Sequence, residues 1–162
     1  MVGKTDCRIF LCVVDDSDEL ETALHYAAKR AKSTHGKVAL FYCIEPQEFQ
    51  HWIGVGRIME KEAEEDAKIY LRNAAAYVKT ITNEEPIEYL KRGKVVDTLM
   101  ELLLDQKEGI STLVLAAGSS KKEGPGPLIT HFISKQAYQM PVPITVVPHH
   151  LSKEEIDKVT EL

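Results

Sequence analysis

The sequence predicts an α/β fold: one open, five-stranded parallel sheet with helices on both faces and a short extra helix at the C-terminus. Two observations carry this. Short apolar runs alternate with stretches of helical periodicity along the chain, which is the pattern of successive βα units. The runs at residues 8–14, 38–44 and 112–117 are almost continuously apolar, as strands covered on both faces require. At 162 residues the chain reads as a single domain, 1–162, with a core over 7–148 and a helical tail over 149–162.

The elements follow in order. Arg-Ile-Phe-Leu-Cys-Val-Val at 8–14 forms strand 1 and stops at Asp15-Asp16-Ser17. Leu20, Ala23, Leu24, Ala27 and Ala31 make one helical stripe, with Asp16 or Ser17 as the expected N-cap and Gly36 as the stop. Residues 38–44 form strand 2, and residues 45–57 are expected as a loop carrying His51 and the only Trp, Trp52, a candidate cover for a cleft. Met59, Ala63, Ala67, Tyr70, Leu71, Ala74 and Val78 mark a long amphipathic helix. Residues 87–91 make a third strand near an edge, and Val95, Val96, Leu99, Leu102 and Leu103 a third helix. Strand 4 covers 112–117, a fourth helix 128–139, and strand 5 runs from Ile144 to Val147 between prolines. In the tail, Ser152 and Glu155 have capping-box spacing and Leu151 and Ile156 staple spacing. Ile156, Val159 and Leu162 are the expected apolar side.

Composition narrows the function classes. Net charge is −5, and the basic pairs Lys91-Arg92 and Lys121-Lys122 are isolated, so nucleic acid is not an expected partner. Uncharged runs are too short for a bilayer, and no membrane association is expected. Cys7, Cys12 and Cys43 are an odd set without metal-ligand spacing, two of them inside strands, which fits small apolar residues in a reducing cytoplasm.

In a parallel sheet of this kind ligands bind beyond the carboxyl ends of strands where the strand order switches. That directs attention to two loops expected to meet. Asp15 and Asp16 follow strand 1, where they cap a helix, hold a metal or bond a sugar or base. After strand 4 the chain reads Ala117-Gly118-Ser119-Ser120-Lys121-Lys122-Glu123-Gly124-Pro125-Gly126, with three of the chain's nine glycines. Backbone N–H groups at such a turn and at the next helix N-terminus hold anions; the competing reading is a plain turn of turn-forming residues. Thr130 and His131 stand at the helix entrance, where His131 contacts a phosphate or remains a surface histidine. The acidic pair also suits a Mg²⁺-binding phosphoreceiver domain. That domain needs an Asp after strand 3 and a Lys after strand 5, where this chain has Lys91-Arg92-Gly93 and Pro148-His149.

Over residues 7–148 the chain resembles the universal stress protein (UspA-like) family. The resemblance is carried by Ile9-Phe-Leu-Cys-Val-Val-Asp15-Asp16-Ser17, by Ala23-Leu24-His-Tyr26-Ala27, and by the stretches 111–118 and 141–147. Phe49-Gln-His-Trp52 with Lys122-Glu123-Gly124-Pro125-Gly126-Pro127-Leu128 is similar to a proteobacterial-type bacterial subgroup. The resemblance implies a Rossmann-like sheet, a cytoplasmic stress-response role, and a homodimer through the last strand, Ile144 to Val147. In members that bind ATP, with Mg²⁺ where it is bound, it implies a Gly-x2-Gly-x9-Gly-Ser/Thr motif after strand 4. Here Gly118 matches the first glycine, Lys121 replaces the second, and Thr130-His131 or His131-Phe132 stands where Gly-Ser belongs. Asp15 matches the nucleotide-contacting acid, and Asp16 replaces a glycine. The nucleotide-binding set implied is Asp15, Ala117, Gly118, Ser119, Ser120, Gly124, Gly126, Thr130 and His131. The expected function is a nucleotide-binding or regulatory stress-response module without catalytic residues. The alternatives are a weak nucleotide hydrolase or nucleotidyl transferase, and a ligand-free dimer that binds a partner.

Overall fold

The computed structural model describes residues 7–46, 53–105, 107–118 and 124–161. The elements are β1 (Ile9–Val13), α1 (Leu20–Thr34), β2 (Lys37–Ile44), α2 (Ile53–Thr82), β3 (Ile87–Arg92), α3 (Val95–Leu104), β4 (Thr112–Ala117), α4 (Pro127–Lys135), a 3₁₀ turn (Ala137–Gln139), β5 (Ile144–Pro148) and α5 (Lys153–Thr160). The sheet is parallel throughout, in the order β3-β2-β1-β4-β5. Chain order therefore reverses between β1 and β4, and that is where a crevice opens at the carboxyl ends.

Side-chain alternation along each strand divides the interior in two. Phe10, Cys12, Val14, Leu40 and Val114 face α1, α2 and α5, meeting Leu24, Ala27, Leu71, Val78 and Ile156. Leu11, Phe41, Leu113 and Leu115 face α3 and α4, meeting Leu99, Leu103, Ile129 and Phe132. The small residues Ala23, Ala27, Ala28 and Ala31 let α1 lie close on the sheet, and all four are buried.

Several expectations are corrected. Helix α2 begins at Ile53, so residues 53–57 are helical rather than loop. Extending an existing helix costs little, and Gly54 and Gly56 weaken but do not stop it. His51 and Trp52 lie outside the described residues. The capping expected of Asp16 or Ser17 does not occur, because α1 starts later, with Glu19 at its N-cap and no side-chain cap. Asp15 instead closes its own turn. The left-handed residue ending α1 is His35, with φ 54°. Gly36 answers a different need: a β-carbon there would lie 2.4 Å from the Arg8 carbonyl oxygen. The fourth helix is shorter than residues 128–139, breaking at Gln136 into the 3₁₀ turn. The capping box of Ser152 and Glu155 forms as expected. On α5, however, Val159 is 66% exposed and Thr160 is buried. Thr160 returns its hydroxyl to the Ile156 carbonyl at 2.9 Å, which makes a polar side chain fit for burial on a helix. Leu162 lies outside the described residues.

Candidate functional site

The two loops expected to meet do so. A cavity of about 270 Å³ lies between the turn after β1 and the loop after β4, lined by Asp15, Ser17, Glu19, Gly118, Gly124, Gly126 and the first residues of α4. A wider crevice of about 920 Å³ adjoins it, sharing Val13, Asp15, Pro127 and Leu128, and extends toward Tyr42, Tyr70, Lys94, His131 and Gln136. Asp15 belongs to both.

The turn after β1 is built by Asp15 itself. Its Oδ1 accepts from the Ser17 backbone N–H at 2.9 Å and from the Ser17 hydroxyl at 2.6 Å. This Asx-type turn holds the exposed carboxylate at the strand end. Asp16, also exposed, faces the wider crevice.

The described ends of the loop after β4 meet each other. The Gly118 N–H donates to the Pro125 carbonyl at 3.1 Å, so the loop closes on itself at its base. A β-carbon at Gly118 would stand 3.0 Å from the Gly124 carbonyl oxygen, and Gly124 and Gly126 have φ of 71° and 109°. Glycine is needed at 118 for close approach and at 124 and 126 for left-handed backbone. Pro127 is at the first turn of α4, where its missing N–H costs nothing. The N–H groups of Leu128 and Ile129 have no acceptor within the helix and belong to residues lining the smaller cavity. They offer backbone donors to an anion at that cavity.

The nine sequence-derived residues therefore separate. Asp15, Gly118, Gly124 and Gly126 come together around the smaller cavity. His131 lines the wider crevice. Ala117 is one step away, its carbonyl accepting from the His149 N–H at 3.2 Å across the exit of β5. Thr130 is drawn to its own helix, the hydroxyl donating to the Gly126 carbonyl at 2.9 Å. Ser119 and Ser120 lie outside the described residues.

Sequence reasoning missed Glu19, Tyr42, Tyr70, Lys94 and Gln136. Tyr42 and Lys94 had a usable signal, since both stand at or beyond the carboxyl end of a strand. Tyr70 had none, because its α2 position reads as core. The Tyr42 and Tyr70 rings lie nearly parallel, 9° apart with centroids 6.0 Å apart. Burial, then Tyr70, then Asp16, Asp66 and Asp15 push the Tyr42 pKa up. Cys43, at the crevice wall, donates to the Gly93 carbonyl at 3.1 Å, and burial raises its pKa. Cys12 is fully buried, and burial pushes its thiol up to about 12, so it is a packing residue. Among the described residues no three His, Cys, Asp or Glu side chains converge as a metal site. None of the described helices is long and apolar enough to cross a membrane.

Comparison with known proteins agrees with this architecture. No curated protein matches the chain. Among solved structures, the universal stress protein UspA from Lactobacillus plantarum is similar at 18% identity and a TM-score of 0.69, over 86% of this chain and 97% of that one. A universal stress protein in complex with cAMP is similar at 20% identity and a TM-score of 0.62, over 86% and 96%. The universal stress protein from Archaeoglobus fulgidus in complex with dAMP is similar at 16% identity and a TM-score of 0.59, over 87% and 97%. These likenesses establish the fold. A sequence profile of the Universal stress protein family matches residues 7–148, which is the sheet with its four crossover helices and leaves only α5 outside, and the chain belongs to that family.

Proposed function

We propose that the chain is a stress-response module that binds an adenine nucleotide at the β1/β4 crevice and signals occupancy rather than turning the ligand over. The observation that carries this is the convergence of the Asp15 carboxylate, the Gly118 turn and the N-terminus of α4 around one cavity. A carboxylate suits sugar hydroxyls, and N–H groups without an acceptor inside their own helix suit a phosphate. Any Mg²⁺ would arrive with the phosphates of the ligand. The neighbours solved with cAMP and dAMP support an adenine ligand for this fold. Calorimetric titration with adenine nucleotides, paired with a product assay at saturation, tests the reading. Saturable binding without product is expected. Product formation overturns the binding-module reading in favour of an enzyme, and no binding overturns the ligand.

The same reading includes a homodimer through β5. The two edges of the sheet differ. The β3 edge carries exposed Glu88, Lys91 and Arg92, which deter pairing. From Gln136 to Pro148 there is no charged residue, and Val146 is 37% exposed on the open edge of β5. Tyr138, on the 3₁₀ turn leading to it, is 84% exposed. A dimer is expected in sedimentation, and Val146→Lys is expected to shift it to monomer; a wild-type monomer at high concentration overturns the interface. Three unpaired cysteines support the cytoplasm as its compartment.

A further inference from the structure

The family profile ends at residue 148, and the segment that follows makes contacts on both sides of the smaller cavity. On one side the His149 N–H donates to the carbonyl of Ala117, the residue before Gly118. On the other side His149 Nδ1 shares a 3.1 Å hydrogen bond with the Thr22 hydroxyl, in the first turn of α1. Helix α5 then runs along α1. Lys153 Nζ lies 2.7 Å from Glu21, and Asp157 Oδ1 lies 2.8 Å from His25 Nε2 and 3.3 Å from Lys29 Nζ. Ile156 and Thr160 are the buried side chains of α5.

The start of α1 has need of such support. Glu19 at its N-cap makes no side-chain cap, so no side chain at its own start fixes the first turn. Leu20 and Ala23 of that turn line the smaller cavity, with Ser17 and Glu19 just before them. The contacts from the tail are unequal. Lys153 and Glu21 are an exposed pair and add little. His25 is buried, and removing Asp157 leaves its Nε2 without that partner, which costs more than an exposed bond is worth.

We propose that the tail from His149 through α5 is a positioning element for the ligand site. It holds the first turn of α1 in place beside the end of β4. Thr22, His25 and Asp157 are positioning residues that act through α1 without touching the ligand. This rests on the nucleotide reading above and adds its regulation. Release of the tail lowers affinity, and by reciprocity a bound ligand holds the tail down.

The test joins calorimetry to hydrogen exchange on the full chain. AMP and ATP are titrated first, and the tighter binder serves as the probe. Asp157→Ala and Thr22→Val alter residues that line neither the cavity nor the wider crevice. Each is expected to weaken binding about threefold or more in chains that keep the wild-type circular dichroism. Asp157→Asn keeps an acceptor for His25 and is expected to retain most of the affinity. In the wild type, saturating probe is expected to slow amide exchange from Ile156 to Glu161. Amides that exchange by local opening of α5 respond to the probe only if that opening weakens the site. This arm needs no variant, so it decides even where a substitution prevents folding. Wild-type binding with unchanged affinity in both variants overturns the positioning role and leaves the nucleotide reading intact, as does α5 exchange that the probe does not move. Asp157→Asn as weak as Asp157→Ala overturns the part given to His25. Failure of the wild type to bind either nucleotide removes the nucleotide reading itself.

Discussion

Gly36 and His25 show how single positions hold this fold. Gly36 has an ordinary backbone angle, so its requirement is space: the β-carbon of an alanine would meet the Arg8 carbonyl oxygen at 2.4 Å, where β1 and β2 come together. Backbone cannot yield as a flexible side chain does. Gly36→Ala is therefore expected to lower stability by about 3 kcal/mol, read from the denaturant midpoint. His25 is buried on α1, with Nδ1 2.9 Å from the Tyr77 hydroxyl and Nε2 2.8 Å from Asp157 Oδ1 on α5. The Tyr77 hydroxyl either donates to Nδ1 or accepts from it, so the bridge from α2 through α1 to α5 survives either state of the ring. Burial opposes the charge on Asp157, but hydrogen bonds from His25 and Lys29 and their nearby charge hold its carboxyl below the usual carboxylate range. A depressed folded-state pKa means the unfolded chain binds more protons as the solution is acidified. The contribution is complete above the ordinary value of about 3.9 and is lost as pH falls through the folded value. Urea midpoints from about pH 6 down to about pH 3 are expected to fall more for the wild type than for Asp157→Asn over that acid window. Equal slopes would sink the assignment.

Among the elements, the strands were the most legible. β1, β2 and β4 are apolar on both faces because helices cover both, and a run of that kind is visible without knowing its neighbours. The start of α2 was hidden because Gly54 and Gly56 read as loop, whereas propagation from a long helix outweighs two glycines. The face of α5 was misread for a related reason. Val159 is apolar and Thr160 is not, but position 160 stands four residues from Ile156, and a threonine bonded to its own helix packs inward. Half of the site was legible at the same level. Asp15 and Gly118 sit at strand ends, where topology alone concentrates ligand contacts. Tyr70 and Gln136 come from helix positions that only tertiary packing brings to the crevice. The glycines after β4 were read as cradle residues. The structure places the Gly118 N–H on the Pro125 carbonyl, so that one donor is spent within the loop, and the start of α4 offers N–H groups beside the cavity.

Across the whole molecule, the two faces of the sheet are covered unequally. One carries α1, α2 and α5, with α1 of 15 residues and α2 of 30. The other carries α3 of 10 residues and α4 of 9. The bridge of His25, Tyr77 and Asp157 ties together the first face, while the crevice opens at the carboxyl edge of the sheet, between elements of both faces. Local opening of a protein follows its least-secured element. Helix α4 is the shorter of the two helices on the second face, and it supplies one wall of the crevice. On the proposed nucleotide reading, a ligand that bonds α4 to the turn at Asp15 would tie that short helix to the far side of the crevice, and occupancy would be read as order of a surface segment.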